Sequence, residues 1–265
     1  MKVAGIVVYH PEEKRLEKNI EKILPQVDKV IIVFNSILNL ENNNEKIIKI
    51  YNEKNKGIAF ALNQIVEQAT VLGAEWCLTL DQDSIVPENI IYEYENKIDK
   101  NIAILCPNII NLNSHRNRKE YEDKIVKLCI TSGSYINIKV CNELGKFNEN
   151  FFIDYVDWEY CARVKRSKYL CKQIGSVCLE HQLGNVSYHN LFGLEIQTYN
   201  HNAFRKYYIT RNTFLINRMY PEFKEFKHPM LRTIKRIIIV IFYEDDKLNK
   251  VRSMLRGIRV AVQLK

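Results

Sequence analysis

The sequence predicts an α/β fold in which helices flank a mostly parallel central sheet. Short apolar runs, such as residues 3–8 and 30–34, are typical of strands buried on both faces. They alternate with segments whose apolar residues recur at helical spacing, and this alternation is characteristic of α/β domains. The 265 residues are 46% hydrophobic and 26% charged, which is enough apolar material for a core.

The individual elements follow from the same two patterns. A helix is expected over residues 11–24, where Leu16, Ile20 and Ile23 share one face. Further helices are predicted over residues 58–72 and near 203–219. Strands are predicted over residues 3–8, 30–34, 47–51, 76–80 and 102–106. The Asn-rich stretch 35–44 and the polar stretch 108–123 are predicted to be loops.

Three of the predicted strands end in residues suited to binding a ligand. These are Tyr9 and His10 after the first strand, Asn35 after the second, and Asp81 and Asp83 after the fourth. Ligands of open α/β sheets bind beyond the carboxyl ends of the strands. We therefore expect these five residues to line one crevice.

The positive charge of the chain is concentrated near its C-terminus. The net charge is +8, and residues 201–265 alone hold 15 Lys and Arg against 5 Asp and Glu. The apolar run at the N-terminus is too short for a secretory signal, and no run approaches the ~20 residues of a membrane-spanning helix. We therefore expect a cytoplasmic protein with a basic C-terminal surface.

The seven cysteines predict neither disulfide bonds nor a metal site. Their number is odd, and no two of them form a Cys-x-x-Cys pair. Such spacing lacks the signature of a disulfide framework or of a zinc site. Reduced thiols in the core are the expectation.

Asp81 and Asp83 are candidates for holding a divalent cation. Two carboxylates spaced i, i+2 at a strand end can turn toward one ion, and Mg²⁺ or Mn²⁺ is commonly held by one or two carboxylates with substrate phosphates. The alternative is a turn whose aspartates cap the following helix. The residues by themselves leave both interpretations open.

A second acidic group lies in residues 151–164, where Asp154, Asp157 and Glu159 stand among large aromatic residues. Apolar surroundings raise the pKa of a carboxyl group, which suits a general base. If the whole segment is helical, Asp154 and Asp157 share a face and Arg163 can pair with Glu159. The alternative is an amphipathic helix with solvated acids.

Two further candidates lie in the second half of the chain. In residues 205–212, arginines flanked by tyrosines suit a clamp for a diphosphate, because guanidinium binds phosphate in bidentate fashion. A nucleic-acid surface and an ordinary surface helix are the alternatives. His181 is a candidate metal ligand, although lone histidines are more often structural.

Taken in order, these motifs resemble the inverting family 2 glycosyltransferases, and within them the rhamnosyltransferase-like branch. The resemblance runs from Val3 to about Tyr220. The matching segments are VVYHP (7–11), NKGIAFALN (55–63), LDQDS (80–84), TSGSYI (131–136), FNENFFIDYVDWEYCAR (147–163), HQLG (181–184) and RKYYITRN (205–212). Each segment is weak alone, but seven in the same order are specific.

The resemblance implies a GT-A fold and a domain organisation. The catalytic domain would cover residues 1–225, with a nucleotide-sugar-binding half over about 1–107 and an acceptor-binding, catalytic half over about 125–225. Residues 226–265 would form a basic, helical C-terminal appendage.

The resemblance also assigns residues to the nucleotide sugar and the metal. The residues that would bind the nucleotide sugar are Tyr9, His10, Pro11, Asn35, Gly57, Asn63, Asp81, Tyr208 and Arg211. Tyr208 and Arg211 would hold the diphosphate of this donor as the leaving group. The residues that would hold Mg²⁺ or Mn²⁺ are Asp83, Asp81 and His181.

Two departures from the family pattern affect these assignments. Phe34 replaces the aspartate that commonly recognises the base, so the identity of the nucleotide is not specified by that residue. Val156-Asp157 replaces the usual Glu-Asp pair of the catalytic motif. Asp157 is therefore the expected catalytic base, and Asp154 is its rival.

The last residues predict an amphipathic helix from about Asp246. Five apolar residues form one stripe with arginines along its border: Leu248, Val251, Leu255, Ile258 and Val262. An apolar face edged with arginines is typical of a helix that lies in the interface of an anionic membrane. The alternative is that the stripe packs on the catalytic domain or on a second copy of the chain.

The function expected from sequence is a metal-dependent, inverting glycosyltransferase. It would transfer a sugar, with dTDP-rhamnose favoured and a UDP-sugar as the other donor, to a glycan or lipid-linked acceptor in surface polysaccharide assembly. A peripheral position on the inner face of the cell membrane is expected. The alternatives are a nucleotidyltransferase and a basic nucleic-acid-binding protein, and we expect no nucleic-acid partner because the first 200 residues are nearly neutral.

Overall fold

The computed structural model describes residues 1–37, 42–111, 122–181, 187–191 and 194–264. The strands are β1 (Lys2–Val8), β2 (Lys29–Phe34), β3 (Ile47–Tyr51), β4 (Trp76–Asp81), β5 (Ile102–Asn111), β6 (Lys124–Val126), β7 (Ser134–Asn137), β8 (Leu170–His181), β9 (Ser187–Leu191) and β10 (Leu194–Thr198). The α-helices are α1 (Glu13–Ile23), α2 (Ile58–Val71), α3 (Ile90–Glu95), α4 (Ile138–Glu143), α5 (Val156–Arg166), α6 (Ala203–Met219), α7 (Pro229–Tyr243) and α8 (Lys247–Gln263).

The predicted strands and helices are all present, and the α/β class is confirmed. The strand predicted over 102–106 continues to Asn111, so residues 108–111 are strand rather than loop. The rest of that predicted loop, residues 112–121, lies outside the described residues. The long helix predicted near 203–219 is α6, with its Asn202 side chain accepting a hydrogen bond from the Arg205 amide at 2.9 Å.

Eight strands form one sheet in the order β3-β2-β1-β4-β7-β5-β8-β6. Strands β3, β2, β1 and β4 are mutually parallel, whereas β7 is antiparallel to both β4 and β5. Strand β1 is therefore paired on both edges, and most of its residues are buried. The carboxyl ends of four consecutive strands consequently lie along one edge of the sheet.

The chain divides into two compact units. The first contains Met1–Asn150 and Val156–Gln182, and the second contains Phe151–Tyr155 and Leu183–Lys265. The boundary at residue 225 that we predict from sequence lies inside the second unit, and it stays a prediction about where the basic appendage begins.

Helices α6 and α8 of the second unit pack closely against each other. A Cβ atom on Gly257 would lie 2.7 Å from the Tyr207 backbone oxygen, so only glycine permits this approach. Lys206, Glu244 and Lys250 form a buried ion cluster beside them, with Nζ–carboxylate distances of 2.5 and 3.1 Å. Removal of Glu244 would leave two buried ammonium groups without their carboxylate, so this residue ties Lys250 of α8 to Lys206 of α6.

The apolar stripe predicted on the last helix is not the face that packs. The residues of α8 that are buried are Lys250, Met254, Gly257 and Ala261. Leu248, Leu255 and Val262, which belong to the predicted stripe, are 74%, 53% and 72% exposed. The alternative that the whole stripe packs within this chain is therefore wrong. None of the described helices is both long and apolar enough to cross a bilayer.

Candidate active site

The ends of β1, β2 and β4 lie beside one another at one edge of the sheet in the first unit, and the ligand crevice expected there stays a prediction. The Asn35 amide donates to the Val8 carbonyl oxygen at 2.8 Å, which joins the ends of β1 and β2. The Tyr9 amide donates to Gln82 Oε1 at 2.7 Å, which joins β1 to the turn after β4. The candidate residues after the three strands are therefore brought together by direct hydrogen bonds.

Tyr9 and His10 are presented to solvent at this edge of the sheet. The Tyr9 side chain is 47% exposed, and its ring meets the His10 ring edge-on with centroids 4.4 Å apart. His10 has a left-handed backbone with φ of 45°, and its amide donates to Ser36 Oγ at 2.9 Å. A non-glycine residue in this conformation is strained, and such strain is concentrated at functional sites. The end of β1 thus turns two rings toward solvent, and Pro11 is the next residue in the sequence.

The turn that carries Asp81 and Asp83 is held through its backbone by helix α1. Asn19 Nδ2 donates to the Asp81 carbonyl oxygen at 2.8 Å, and Arg15 Nε donates to the Asp83 carbonyl oxygen at 2.8 Å. Arg15 and Asn19 are one helical turn apart, so both reach the same loop. Both bonds are accepted by carbonyl oxygens, so helix α1 orients the turn through its backbone.

The Ser132 side chain supports the same turn from the sheet side. Its Oγ accepts from the Asp81 amide at 3.4 Å and is in hydrogen-bond contact with Ser84 Oγ. Ser132 precedes β7, which pairs with β4, so the segment that matches TSGSYI lies directly beside the aspartates. This placement explains why that segment accompanies the aspartate motif.

Asn35, Gly57 and Asn63 are held by hydrogen bonds after β2 and at helix α2. Asn35 is 2% exposed, and its Nδ2 donates to the Gly57 carbonyl oxygen at 3.1 Å while its Oδ1 accepts from Asn52. Gly57 has φ of 91° and precedes the first residue of α2, a conformation that favours glycine. Asn63 lies on α2 and bonds in both directions with the Phe147 backbone, at 3.0 and 2.8 Å. Contact of these three residues with a nucleotide stays a prediction.

The expectation that Asp154 and Asp157 share a helix face is wrong. Helix α5 begins at Val156, and Asp154 and Tyr155 precede it with φ of 63° and 68°. Asp157 lies in the first turn of α5 and lines a small cavity of the first unit with Tyr160 and other residues. The predicted i, i+4 pair of Glu159 and Arg163 is present, with 2.8 Å between Nη2 and Oε2.

Asp154 belongs to the second unit, where helix α6 holds it. The Arg205 guanidinium donates Nε and Nη2 to the Asp154 carboxylate at 2.9–3.2 Å. Asn212 Nδ2 donates to the carbonyl oxygens of Ile153 and Asp154, both at 2.8 Å. The left-handed bend is therefore over-determined by α6, which offsets its conformational cost of about 1–3 kcal/mol per residue.

Tyr208 and Arg211 lie on α6 close to that bend. The Tyr208 ring stacks on Phe152 with centroids 5.0 Å apart, and the Arg211 guanidinium lies 4.7 Å from the centre of the Tyr208 ring. Arg211 also donates to the neighbouring Asn212 Oδ1 at 2.8 and 2.9 Å. Burial, together with the charge of Arg205, lowers the pKa of His201 to about 4, so this imidazole is neutral at physiological pH.

The donor set at the aspartate turn fits a hard divalent cation. Asp81 and Asp83 supply carboxylate oxygens at a strand end, and in the described part of the chain no cluster of three potential ligands includes them. Mg²⁺ needs one or two protein carboxylates when substrate phosphates and water supply the rest. His181 is the last residue of β8, and only its backbone belongs to the described part of the structure.

Sequence reasoning did not identify the residues that hold the aspartate turn, namely Arg15, Asn19, Gln82 and Ser132. One signal was available in α1. Its buried residues are Leu16, Asn19, Ile20 and Ile23, so Asn19 is a polar residue on an otherwise apolar face. A buried polar side chain needs a hydrogen-bond partner, and here the partner is the Asp81 backbone.

Comparison with known proteins decides the family. The sequence model described as glycosyl transferase family 2 matches residues 5–168, which is more than half of the chain. The chain belongs to glycosyl transferase family 2. The dTDP-rhamnosyl transferase RfbF of Shigella flexneri is 28% identical to this family 2 enzyme over 286 positions, covering 96% of this chain and 92% of the relative.

Solved structures share the fold at low sequence identity. S. aureus TarS 1-349, in its complex with UDP-GlcNAc, superposes with a TM-score of 0.61 at 12% identity and covers 98% of this chain and 82% of that one. GalNAc-T7 with UDP, GalNAc and Mn²⁺ has a TM-score of 0.57 at 13% identity, over 73% of this chain and 44% of that one. Together, the family and the fold confirm a GT-A glycosyltransferase that uses a nucleotide sugar, and they set aside the nucleotidyltransferase interpretation.

Loosening the aspartate turn should weaken donor binding by this family 2 enzyme. We expect Asn19→Ala and Arg15→Ala each to raise the donor KM roughly fivefold to tenfold, since each removes one hydrogen bond worth about 1 kcal/mol that orients the turn. Steady-state kinetics with varied donor measure the change. Lys18→Ala, an exposed substitution on the same helix, is the control. A donor KM unchanged by both substitutions would show that α1 does not position the site.

Proposed function

We propose that this enzyme transfers L-rhamnose from dTDP-rhamnose to a hydroxyl group of a glycan acceptor, with inversion at the anomeric carbon. The observation that carries the donor assignment is the full-length similarity to a dTDP-rhamnosyl transferase. A UDP-sugar is the alternative donor, because the TarS and GalNAc-T7 structures contain UDP or UDP-GlcNAc. A lipid-linked acceptor and a role in surface polysaccharide assembly belong to the same proposal.

The donor is bound by the residues at the crevice of the first unit. Tyr9, His10 and Pro11 contact the base and ribose, and the exposed, outward-turned rings of Tyr9 and His10 support this role. Phe34, which replaces the common aspartate, is fully buried and stacks on Tyr51 at 4.8 Å. Phe34 therefore packs in the core, and base selection falls to other residues.

The Asp81 and Asp83 carboxylates would hold Mg²⁺ or Mn²⁺, and His181 is a further proposed ligand. A bound ion would supply positive charge to offset that of the diphosphate leaving group. The support for this role is the turn itself, whose backbone is held by Arg15, Asn19 and Ser132. Carboxylates on a fixed turn are pre-oriented, which reduces the entropy cost of binding.

Asp157 is the proposed general base. Its rival Asp154 is held in a bidentate pair by Arg205, and this pairing occupies its carboxylate oxygens. Asp157 lies in the first turn of α5, immediately after the left-handed bend.

The reaction then needs one proton transfer and one displacement. Asp157 takes the proton of the acceptor hydroxyl as its oxygen attacks the anomeric carbon from the face opposite the diphosphate. A new C–O bond forms, the bond to the diphosphate oxygen breaks, and the configuration inverts. We assign the leaving diphosphate to Arg211, whose guanidinium is oriented by Asn212 and by the Tyr208 ring.

Donor binding tests the proposed function directly. We expect dTDP-rhamnose to raise the melting temperature of the protein more than UDP-GlcNAc does, and to do so more strongly with Mn²⁺ than with a chelator, because a ligand that binds the native state stabilises it. Asp83→Asn should remove the Mn²⁺ dependence. A larger shift with UDP-GlcNAc would contradict the donor assignment, and equal shifts with Mn²⁺ and chelator would contradict the metal assignment.

Removal of the proposed base separates catalysis from binding. We expect Asp157→Asn to lower kcat by about 10²-fold or more, as is typical of general bases, while the Kd of the donor stays unchanged. Single-turnover kinetics and donor titration give the two quantities. Asp154→Asn is the matched comparison, and a larger kcat loss in that variant would make Asp154 the base.

We also propose that the second unit binds the cytoplasmic face of an anionic membrane. Helix α8 exposes Leu248, Leu255 and Val262, which recur every seven residues and so lie on one side of the helix. The Arg252, Arg256 and Arg259 side chains are exposed beside them. An exposed apolar row edged with arginines fits lipid tails and anionic head groups together. A second copy of the chain is the alternative partner for this face.

Vesicle flotation tests the membrane proposal on the full-length chain. Truncation before α7 is unsuitable, because it would remove Glu244 from the buried Lys206. We expect the triple variant Leu248→Ser/Leu255→Ser/Val262→Ser to lose most binding to anionic vesicles, whereas Val71→Ser, an exposed apolar residue on α2, keeps it. Flotation of the triple variant equal to that of the parent protein would refute the proposal, and a change only in oligomeric state would favour a dimer.

A further inference from the structure

Three cysteines that are distant in sequence meet in the first unit. Cys129 follows β6, Cys161 lies on α5, and Cys171 lies on β8. Their sulfur atoms all lie within 4.8 Å of one another, and Cys129 Sγ is 3.5 Å from Cys161 Sγ. The sequence-based expectation that the cysteines form no metal site rested on the absence of paired spacing, and the tertiary structure supplies a convergence that spacing does not show.

The sulfur separations match those of a metal–thiolate centre. Tetrahedral zinc with Zn–S bonds of about 2.3 Å places its sulfur ligands roughly 3.8 Å apart. Sulfur atoms between 3.5 and 4.8 Å apart therefore need only small side-chain adjustments to share one ion. Cys129 is partly exposed as a residue, whereas Cys161 and Cys171 are buried.

We propose that Cys129, Cys161 and Cys171 form a zinc-binding site separate from the aspartate turn. Thiolates select soft cations such as Zn²⁺ and Cu⁺, whereas carboxylates suit Mg²⁺ and Mn²⁺. Three thiolates around Zn²⁺ carry a net charge of −1, and around Cu⁺ they carry −2. The smaller charge costs less in a buried site, so the cluster favours zinc. Binding releases the three thiol protons to solvent, and water completes the tetrahedron.

The location connects this site to the proposed base. Asp157 and Cys161 are four residues apart on α5 and line the same cavity, together with Cys129. A bound ion would join α5 to the segment after β6 and to β8. Zinc occupancy would thereby fix the helix that carries Asp157.

Zinc binding by the reduced full-length protein tests the proposal. The protein is kept in a phosphine reductant with excess Mg²⁺, and Zn²⁺ is titrated against a chromophoric chelator. We expect one tight zinc per chain, and Co²⁺ should give a sulfur-to-metal charge-transfer band. Cys129→Ala and Cys161→Ala should each weaken binding by at least about 100-fold, since loss of even an outer hydrogen-bond partner of a zinc ligand costs about 10- to 100-fold.

Matched variants separate the cluster from other ligands. Cys178→Ala removes a partly exposed cysteine of β8 outside the cluster and should leave the affinity unchanged, as should Asp83→Asn. Cys129 is the least buried of the three, so its alanine variant keeps the test valid if Cys161→Ala does not fold. The proposal is overturned if the reduced protein takes up no stoichiometric zinc, if Cys129→Ala binds zinc normally, or if only Asp83→Asn loses it.

Discussion

The parallel pairing of β1 with β2 and β4 is the constraint on which the rest of the structure depends. Each residue of β1 from Val3 to Val7 has a register partner on both neighbours, so none of the three strands can slip without disrupting two ladders. The carboxyl ends of all three strands therefore lie at the same edge of the sheet. Hydrogen bonds from Tyr9 and Asn35 then join the ends of these strands.

The second unit applies a different constraint, in which side chains of one helix hold an irregular segment. Within residues 151–155, Asn212 of α6 donates to the Ile153 and Asp154 carbonyl oxygens, and Arg205 pairs with the Asp154 side chain. Helix α7 adds Arg236, which donates to the Tyr155 hydroxyl at 3.0 Å. Some of the C-terminal positive charge is thus engaged inside this unit, and the arginines of α8 remain at its surface.

The strands and long helices were predictable because each depends on a local pattern of apolar residues. Residues Val30 to Phe34 are buried on both faces, and their unbroken apolar run predicts a strand from the sequence alone. The Asp81–Asp83 turn and α6 were likewise recognisable from motifs. Arg15 and Asn19 were not, because their partners are backbone atoms more than 60 residues away, and a backbone carbonyl leaves no trace in the sequence.

The sequence by itself determined the α/β class, the family motifs and the order of the candidate residues, since these follow from periodicity and residue type. Only the tertiary structure decided which face of α8 is buried, because that face carries Gly257, whose missing side chain permits the close approach to the Tyr207 carbonyl oxygen. The tertiary structure also decided that Asp154 pairs with Arg205 outside the helix that carries Asp157. It likewise brought the sulfur atoms of three cysteines together. Each of these depends on which distant segments meet, and local spacing carries no information about that.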